Sequence, residues 1–211
     1  MERTRLYIAR HGQVVNHHEL RYNGHTDVDI TAEGAAQMER LAGFFSGLSL
    51  DGLYCSDLAR SRRGADILGR AVGLEPVAFR ELRELHLGRW EGLTRSEAMV
   101  RYPEDADFSF RDLATGRIEG GESLVDLKKR VVPVMERIIE SHRGGDVCLV
   151  LHGGVNRLIL CEAMGLGLEN FFRIEQDYGC LNVIDVFDDG VQVVKLLNGG
   201  PNQRLAPTVL Y

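Results

Sequence analysis

Two histidines in the sequence each follow a short apolar run and stand next to a glycine. His11 follows the run 6–9 and Arg10, and His152 follows the run 147–151. A short apolar run is consistent with a buried strand, and a neighbouring glycine lets a ligand approach the backbone closely. If the two strands are parallel, both histidines lie at one edge of a sheet. The pattern indicates a pocket that holds two histidines and at least one arginine.

Arg60 adds a second cation and breaks a rule of helix electrostatics. It follows a predicted strand at 53–55 and lies in the first turn of the next predicted helix. A cation there faces the positive end of the helix dipole, which is unfavourable. A bound phosphate would reverse that effect, because helix N-termini and arginines both favour oxyanions. Arg10 and Arg60 therefore indicate a small anionic ligand.

Other catalytic signatures are missing from the sequence. It contains no nucleotide-binding P-loop, no dinucleotide-binding glycine motif after a strand and no serine nucleophile elbow. His17 and His18, with His25 nearby, could suggest a metal. Adjacent side chains rarely converge on one ion, however, and no carboxylate spacing supports these histidines. We expect no metal site.

The composition describes an ordinary globular protein of one domain over residues 1–211. Of these 211 residues, 44% are hydrophobic and 27% are charged, with a net charge of −6. The acidic balance and the absence of a basic run argue against nucleic-acid binding. The run 147–151 is too short to span a membrane. The N-terminus does not resemble a secretory signal, so we expect a cytoplasmic protein.

Cysteine usage agrees with a reducing compartment. The four cysteines, Cys55, Cys148, Cys161 and Cys180, form no C-x-x-C pair, and three lie in or beside apolar runs. We expect buried free thiols rather than a zinc or redox site.

Strand-like and helix-like segments alternate along the chain. Strands are predicted at 6–9, 53–55, 76–79 and 147–151, a closing hairpin at 183–187 and 191–196, and helices after Thr31, at 58–72, 123–141 and 155–164. The middle section, 80–122, is less regular. This order predicts an α/β fold with a mostly parallel sheet and helices on both faces. Ligands of such sheets bind beyond the carboxyl ends of the strands.

Several segments, in order along the chain, resemble the signature of the histidine phosphatase superfamily, also called the phosphoglycerate mutase-like family. They are Arg10-His11-Gly12, residues 22–34, Ser56 to Ser61, Glu84 to Gly92, Gly121-Glu122-Ser123 and residues 150–154. The resemblance covers about residues 4–200. It implies a three-layer α/β/α sandwich in which residues 85–122 form an active-site insertion.

The resemblance also implies a role for each matching residue. His11 resembles the nucleophile that becomes phosphohistidine, and Glu84 matches the proton donor. Arg10, Arg60 and His152 match the phosphate-binding residues, and Asn16, Asn23, Gly24 and Gly153 fall where relatives contact phosphate or substrate. A nucleophilic histidine must be neutral with one nitrogen free, and a backbone carbonyl bound to the other nitrogen would fix that tautomer. Arginines and a protonated His152 would neutralise the phosphate, so no metal or other cofactor is required.

Departures from the family pattern narrow the expected reaction. Gln13 stands where many members have glutamate, and Asn16 comes five residues after His11 instead of six. The segment 85–122 is too short for the long insertion of the glycolytic mutases, which favours an open site in which water receives the phosphoryl group. The expected function is a phosphomonoesterase for small phosphorylated metabolites, with α-ribazole 5′-phosphate as one candidate.

Four points stay open at the level of sequence. The alternatives are a cofactor-dependent phosphoglycerate mutase, an inactive phospho-ligand binding module and a zinc hydrolase. Specificity is expected in 85–122 and 17–22, where Arg111, Arg117 and Tyr102 either touch the leaving group or lie on the surface. The expected partner is a small phosphorylated substrate, with no nucleic acid and no membrane. The apolar tail 205–211 either packs on its own domain or supports a homodimer.

Overall fold

The computed structural model describes residues 2–202 and Leu205. Its centre is a six-stranded sheet with the strand order β3-β2-β4-β1-β5-β6. The strands are β1 Arg3–Arg10, β2 Gly52–Ser56, β3 Val77–Phe79, β4 Asp146–Leu151, β5 Leu181–Phe187 and β6 Gln192–Gly199. β5 runs antiparallel to β1 and β6, whereas β1, β2, β3 and β4 are mutually parallel. The mostly parallel sheet and its closing hairpin confirm the prediction.

Helices separate the strands in the predicted order. The α-helices are α1 Ala32–Phe45, α2 Ala59–Val72, α3 Arg95–Arg101, α4 Leu124–Ser141 and α5 Gly153–Met164. Short 3-10 helices cover His17–Glu19, Arg80–Leu82, Gly88–Trp90, Pro103–Asp105, Phe110–Ala114 and Leu168–Arg173. α5 begins two residues earlier than predicted, because the two glycines after His152 are helical and not part of a loop.

The two faces of the sheet bury two separate cores. In β1, Tyr7 and Ala9 pack with α1 and α2, whereas Leu6 and Ile8 pack with α4 and α5. This alternation follows from the strand period of two, which sends successive side chains to opposite faces. The result is the expected three-layer α/β/α sandwich.

Local signals set the ends of the helices as predicted. The hydroxyl of Thr31 accepts the backbone N–H of Gly34 at the start of α1, and Ser123 with Asp126 forms a capping box before α4. α2 ends at Gly73 and α5 at Gly165, with φ of +74° and +64°. Positive φ favours glycine, because other residues meet steric resistance there.

The segment 85–122 packs over the carboxyl edge of the sheet. Buried apolar side chains and a group of ion pairs around Arg89 hold it there. Trp90 is buried, and its indole N–H donates to Asp105 over 2.7 Å. The Arg89 guanidinium also pairs with Asp105, and it reaches Glu119 over 2.7 Å. These contacts fold an irregular stretch into a fixed wall beside the strand ends.

Other predictions concern the cysteines, the tail and membranes. All four cysteines are buried and free, as expected. Leu205 packs against the core that α1 and α2 form with the sheet. The rest of the predicted tail, 206–211, lies outside the described residues. Within the described part of the chain, no helix is both long and apolar enough to cross a membrane.

Candidate active site

The carboxyl ends of β1 and β4 bring the two predicted histidines together. The backbone N–H of His11 donates to the carbonyl of Leu151 over 3.0 Å. The rings of His11 and His152 lie with their centroids 5.1 Å apart. Both residues are buried, His152 completely. The parallel pairing of neighbouring strands therefore builds the centre of the site.

His11 is held in the form that a nucleophile needs. Its Nδ1 lies 2.8 Å from the carbonyl oxygen of Gly12, an acceptor that requires the proton on Nδ1 and leaves the lone pair on Nε2. Burial lowers the pKa of His11 well below its usual value, and the charges of Arg60 and Arg10 lower it further. The imidazole is therefore neutral at neutral pH, as predicted.

His152 is also neutral in the free protein, whereas the protonated His152 predicted from the sequence concerns the phosphate-bound site. Burial is the main cause of its strongly lowered pKa, followed by the positive charges of Arg60 and Arg10. Its Nε2 lies 2.6 Å from the hydroxyl of Ser56, and its buried Nδ1 has no hydrogen-bond partner. The Ser56 oxygen also accepts the N–H of Leu58, and a Ser56 hydroxyl that donates to Nε2 places the ring proton on Nδ1 of His152.

Two arginines, the buried Arg60 and the half-buried Arg10, supply the charge of the pocket. Arg60 donates to the carbonyls of Gly24 and Thr26 over 2.6 and 2.9 Å. The guanidinium of Arg10 lies 4.0 Å from the centroid of the Tyr178 ring, and its buried Nε has no partner. Unsatisfied buried donors are costly, and an oxyanion would satisfy those of Arg10 and His152. Phosphate geometry suits such a cluster of guanidinium and imidazole donors.

Glu84 lies at the rim of the same cleft. One carboxylate oxygen accepts the N–H of Gly154 over 2.9 Å, and the other accepts the N–H of Leu85 over 2.8 Å. These bonds tie the carboxylate to the first turn of α5, beside the phosphate pocket. Glu84 lines the cleft together with His11, Arg10 and Arg60.

The predicted substrate contacts divide into two groups. Asn23 and Gly24 line the cleft, whereas Asn16 and Gly153 do not. The amides of Asn16 and Asn23 hold each other through hydrogen bonds of 2.8 and 3.0 Å, so Asn16 orients Asn23. Gly153 starts α5 and lets Arg10 and Arg157 pass close by, since a Cβ there would lie within 3.5 Å of both guanidiniums.

A family model confirms the resemblance of the signature segments. The model of the histidine phosphatase superfamily (branch 1) matches residues 6–199. The chain belongs to the histidine phosphatase superfamily. The bifunctional protein Rv2228c of Mycobacterium tuberculosis is 31% identical over 196 residues, which are 92% of this chain and 54% of that protein. This histidine phosphatase chain thus spans about half the length of the first curated relatives that it matches.

Solved structures of other members share the fold. The alpha-ribazole phosphatase from Shigella flexneri superposes with a TM-score of 0.85 at 26% identity, covering 92% of this chain and 96% of that one. The mycobacterial glucosyl-3-phosphoglycerate phosphatase Rv2419c also gives a TM-score of 0.85 at 26% identity, covering 94% of this chain and all of that one, 100%. The fold is therefore common to histidine phosphatases with different leaving groups.

Part of the cleft of this superfamily member was not predicted from the sequence. Its further lining residues include Arg157, Tyr178, Phe110, Phe171 and Phe172. Arg157 could have been predicted as a functional residue, because it is an arginine inside the otherwise apolar stripe of α5. The aromatic residues had none, since no periodic pattern relates them.

Residues that the sequence left open take surface positions. Arg111 is exposed, Arg117 pairs with Asp126, and the Tyr102 ring lies under the Arg89 guanidinium. None of the three candidates lines the cleft. Among the residues that the structure describes, no group of three or more histidine, cysteine or acidic side chains could hold a metal ion.

The stability of this histidine phosphatase should fall in mild acid. Below pH 6.5 the unfolded chain binds protons at His11 and His152, whereas the folded chain leaves both neutral because their pKa values are strongly lowered. The unfolded state then binds more protons, so stability decreases as the pH falls through 6.5. From pH 7.5 to 5.5 we expect a loss of about 1.4 kcal/mol for each of the two histidines. Urea unfolding at both pH values measures it.

Two variants separate this effect from general acid sensitivity. His11→Asn removes one of the two buried titrating rings and should lose roughly half as much stability between the two pH values. His18→Asn removes an exposed histidine and should behave as the wild type does. An equal loss of stability between the two pH values in wild type and His11→Asn would contradict the conclusion that the buried His11 ring stays neutral in the folded protein.

Loss of the Ser56 hydroxyl should weaken catalysis without opening the fold. In Ser56→Ala, Nε2 of His152 loses its partner, and the tautomer that directs Nδ1–H into the pocket is no longer favoured. We expect kcat/KM to fall about tenfold, the effect of one misdirected buried hydrogen bond. Thr4→Ala is the matched control, because that buried hydroxyl donates to the His142 carbonyl and accepts the N–H of Gly144 at the opposite end of β1. Similar losses in both variants would show that Ser56 has no specific role.

Proposed function

We propose that this chain is a metal-independent phosphomonoesterase that hydrolyses small phosphorylated metabolites through a phosphohistidine at His11. The observation that carries the proposal is the state of His11: a neutral imidazole with Nδ1 fixed by the Gly12 carbonyl, beside the buried Arg60 and the half-buried Arg10. Within residues 2–202, Nε2 of His11 accepts no hydrogen bond. Covalent catalysis needs such a free lone pair.

The first half-reaction forms a bond between Nε2 of His11 and phosphorus and breaks the ester P–O bond. Arg10 and Arg60 neutralise the non-bridging oxygens, and the neutral His152 donates Nδ1–H to one of them. Glu84 gives a proton to the departing oxygen. Glu84 acts in this step in its protonated form, and the N–H groups of Leu85 and Gly154 hold its carboxyl group at the edge of the cleft.

The second half-reaction returns the enzyme to its starting state. Water attacks phosphorus, Glu84 accepts a proton from that water, and the N–P bond breaks to release inorganic phosphate. The cleft, with a volume of about 210 Å³ and open to solvent, supports hydrolysis over phosphoglycerate mutase activity, because a mutase must keep water from the phosphohistidine. The four buried, unpaired cysteines support a cytoplasmic location for the reaction.

The relatives supply candidates for the leaving group. Similar structures carry the names of an alpha-ribazole phosphatase and a glucosyl-3-phosphoglycerate phosphatase. α-Ribazole 5′-phosphate is accordingly one candidate substrate. An inactive phospho-ligand binding module is the weaker proposal, because His11 and Glu84 line one cleft and the His152 ring lies beside that of His11.

Isotope labelling tests hydrolysis through a covalent intermediate. The enzyme is incubated in excess EDTA with a ³²P-labelled phosphomonoester in ¹⁸O-water. We expect a labelled chain upon rapid quenching, stable in alkali and labile in acid as phosphohistidine is, and one ¹⁸O atom in each released phosphate. Turnover that never labels the chain, or that stops with EDTA, would overturn the mechanism. Phosphate movement on phosphoglycerate without release would identify a mutase.

A further inference from the structure

We propose that the cleft beyond the phosphate pocket binds an aromatic leaving group, which lies against Phe110 and Phe172. The inference rests on the proposed phosphomonoesterase activity and adds a substrate class to it: phosphate esters of alcohols that carry an apolar aromatic ring. The apolar side chains that line this cleft include Leu85, Leu87, Leu113, Phe110, Phe171 and Phe172.

The aromatic rings of this wall form a continuous series. Phe110 lies with its ring centroid 5.5 Å from that of Phe172 and 5.7 Å from that of Tyr22. Phe172 lies 4.9 Å from Phe171 in an edge-to-face arrangement. Such distances suit aromatic pairs, and a further ring in the cleft would extend the series.

The two adjacent phenylalanines of the wall differ in burial: Phe171 is fixed in the core, whereas Phe172 has a face open to the cleft. Phe171 is 1% exposed, whereas its neighbour Phe172 is 46% exposed and borders the cleft. An exposed phenylalanine leaves apolar surface in water. A bound aromatic ring would cover that surface, while the buried Phe171 holds the position of Phe172.

Two polar side chains of this part of the cleft, Asn23 and Arg21, are already engaged. The Asn23 amide is paired with Asn16 over 2.8 and 3.0 Å. The Arg21 guanidinium donates to Glu97 and to the Gly92 carbonyl, both over 2.7 Å. A sugar or polyol would have to compete with these bonds to satisfy its own hydroxyls, and unsatisfied polar groups weaken binding.

Arg157 belongs to the phosphate end of the cleft. A Cβ built on Gly153 would lie 3.4 Å from Nη1 of Arg157 and 3.5 Å from Nε of Arg10. The Arg157 side chain also donates through Nε to the Ile174 carbonyl over 2.6 Å. Its position beside Arg10 suits the reacting phosphate, so it does not make the aromatic wall a carboxylate site.

The test compares esters that differ in ring character and share a primary alkoxide leaving group. Benzyl phosphate and glycerol 1-phosphate are assayed for kcat/KM with the wild type, Phe172→Ala and Phe44→Ala. We expect the wild type to prefer benzyl phosphate by roughly 10- to 100-fold, the usual gain from an apolar pocket. Phe172→Ala should lose about tenfold on benzyl phosphate and keep its rate on glycerol 1-phosphate. Phe44 packs against Tyr7, away from the cleft, so Phe44→Ala should keep the preference.

A binding measurement tests the aromatic subsite without relying on the catalytic rate. Benzylphosphonate and methylphosphonate are titrated against both phenylalanine variants, and only Phe172→Ala should lose the tighter binding of the benzyl compound. Equal binding of both compounds by the wild type, equal kcat/KM on both esters, or a preference for 3-phosphoglycerate would overturn the aromatic subsite. Failure of the proposed function is distinct, because the wild type would then hydrolyse neither ester.

Discussion

Replacing His11 by asparagine is expected to lower kcat/KM for every phosphomonoester by about 10⁴-fold or more, because removal of a covalent nucleophile removes the whole first half-reaction. Asparagine is smaller than histidine, and its amide can still face the Gly12 carbonyl that now accepts from Nδ1. The phosphate pocket keeps both arginines, so binding of phosphate should persist. Phosphate release in EDTA measures the rate, and vanadate or phosphate titration measures binding.

The expected pattern is therefore loss of turnover with retained anion binding. His18→Asn provides the matched control, since the same substitution then affects an exposed ring in the 3-10 helix His17–Glu19. The variant at His11 should also fail to acquire label in the quench experiment. Turnover within a factor of about ten of the wild type would rule out phospho-His11.

The centre of the site could be predicted from sequence because short-range signals encode it. Arg10 and His11 end one strand, His152 ends its parallel neighbour, and Arg60 lies in the first turn of a helix. Once the strands are parallel, their carboxyl ends must meet at one edge. The order of apolar runs was therefore sufficient to bring these residues together.

The wall of the cleft could not be predicted in the same way. Phe110 and Phe172 are 62 positions apart in the chain and meet only because separate 3-10 helices, Phe110–Ala114 and Leu168–Arg173, pack together. No periodicity marks such turns. The contacts that fix these turns, such as the ion pair between Arg89 and Asp105, depend on side-chain geometry. That geometry cannot be read from the sequence pattern.

The state of His152 in the free protein shows a second limit of the sequence. The sequence contains the neighbouring charged residues, but it does not contain the burial of the ring. With no anion bound, desolvation and the neighbouring cations both disfavour a further positive charge and lower the pKa of His152. The charge of the pocket then comes from the arginines, and His152 contributes a directed hydrogen bond.

Glu84→Gln is expected to separate substrates by the quality of their leaving groups. An amide cannot give a proton to a departing alkoxide, so hydrolysis of an alkyl phosphate should slow by about 10²- to 10⁴-fold, the usual contribution of general acid catalysis. p-Nitrophenolate departs without a proton, so p-nitrophenyl phosphate should slow much less, by about tenfold or under. The ratio of the two kcat/KM values is the measurement.

The ratio excludes a purely structural explanation of the loss. Glu84 accepts the N–H groups of Leu85 and Gly154, and glutamine has only one acceptor oxygen to offer them. Misplacement of α5 or of the 84–85 turn would slow both substrates alike, whereas loss of the proton slows only the poor leaving group. Glu81→Gln, at an exposed residue whose side chain does not line the cleft, should leave both rates unchanged. Equal losses on both esters in Glu84→Gln would remove Glu84 from proton transfer and leave it as a positioning residue for α5.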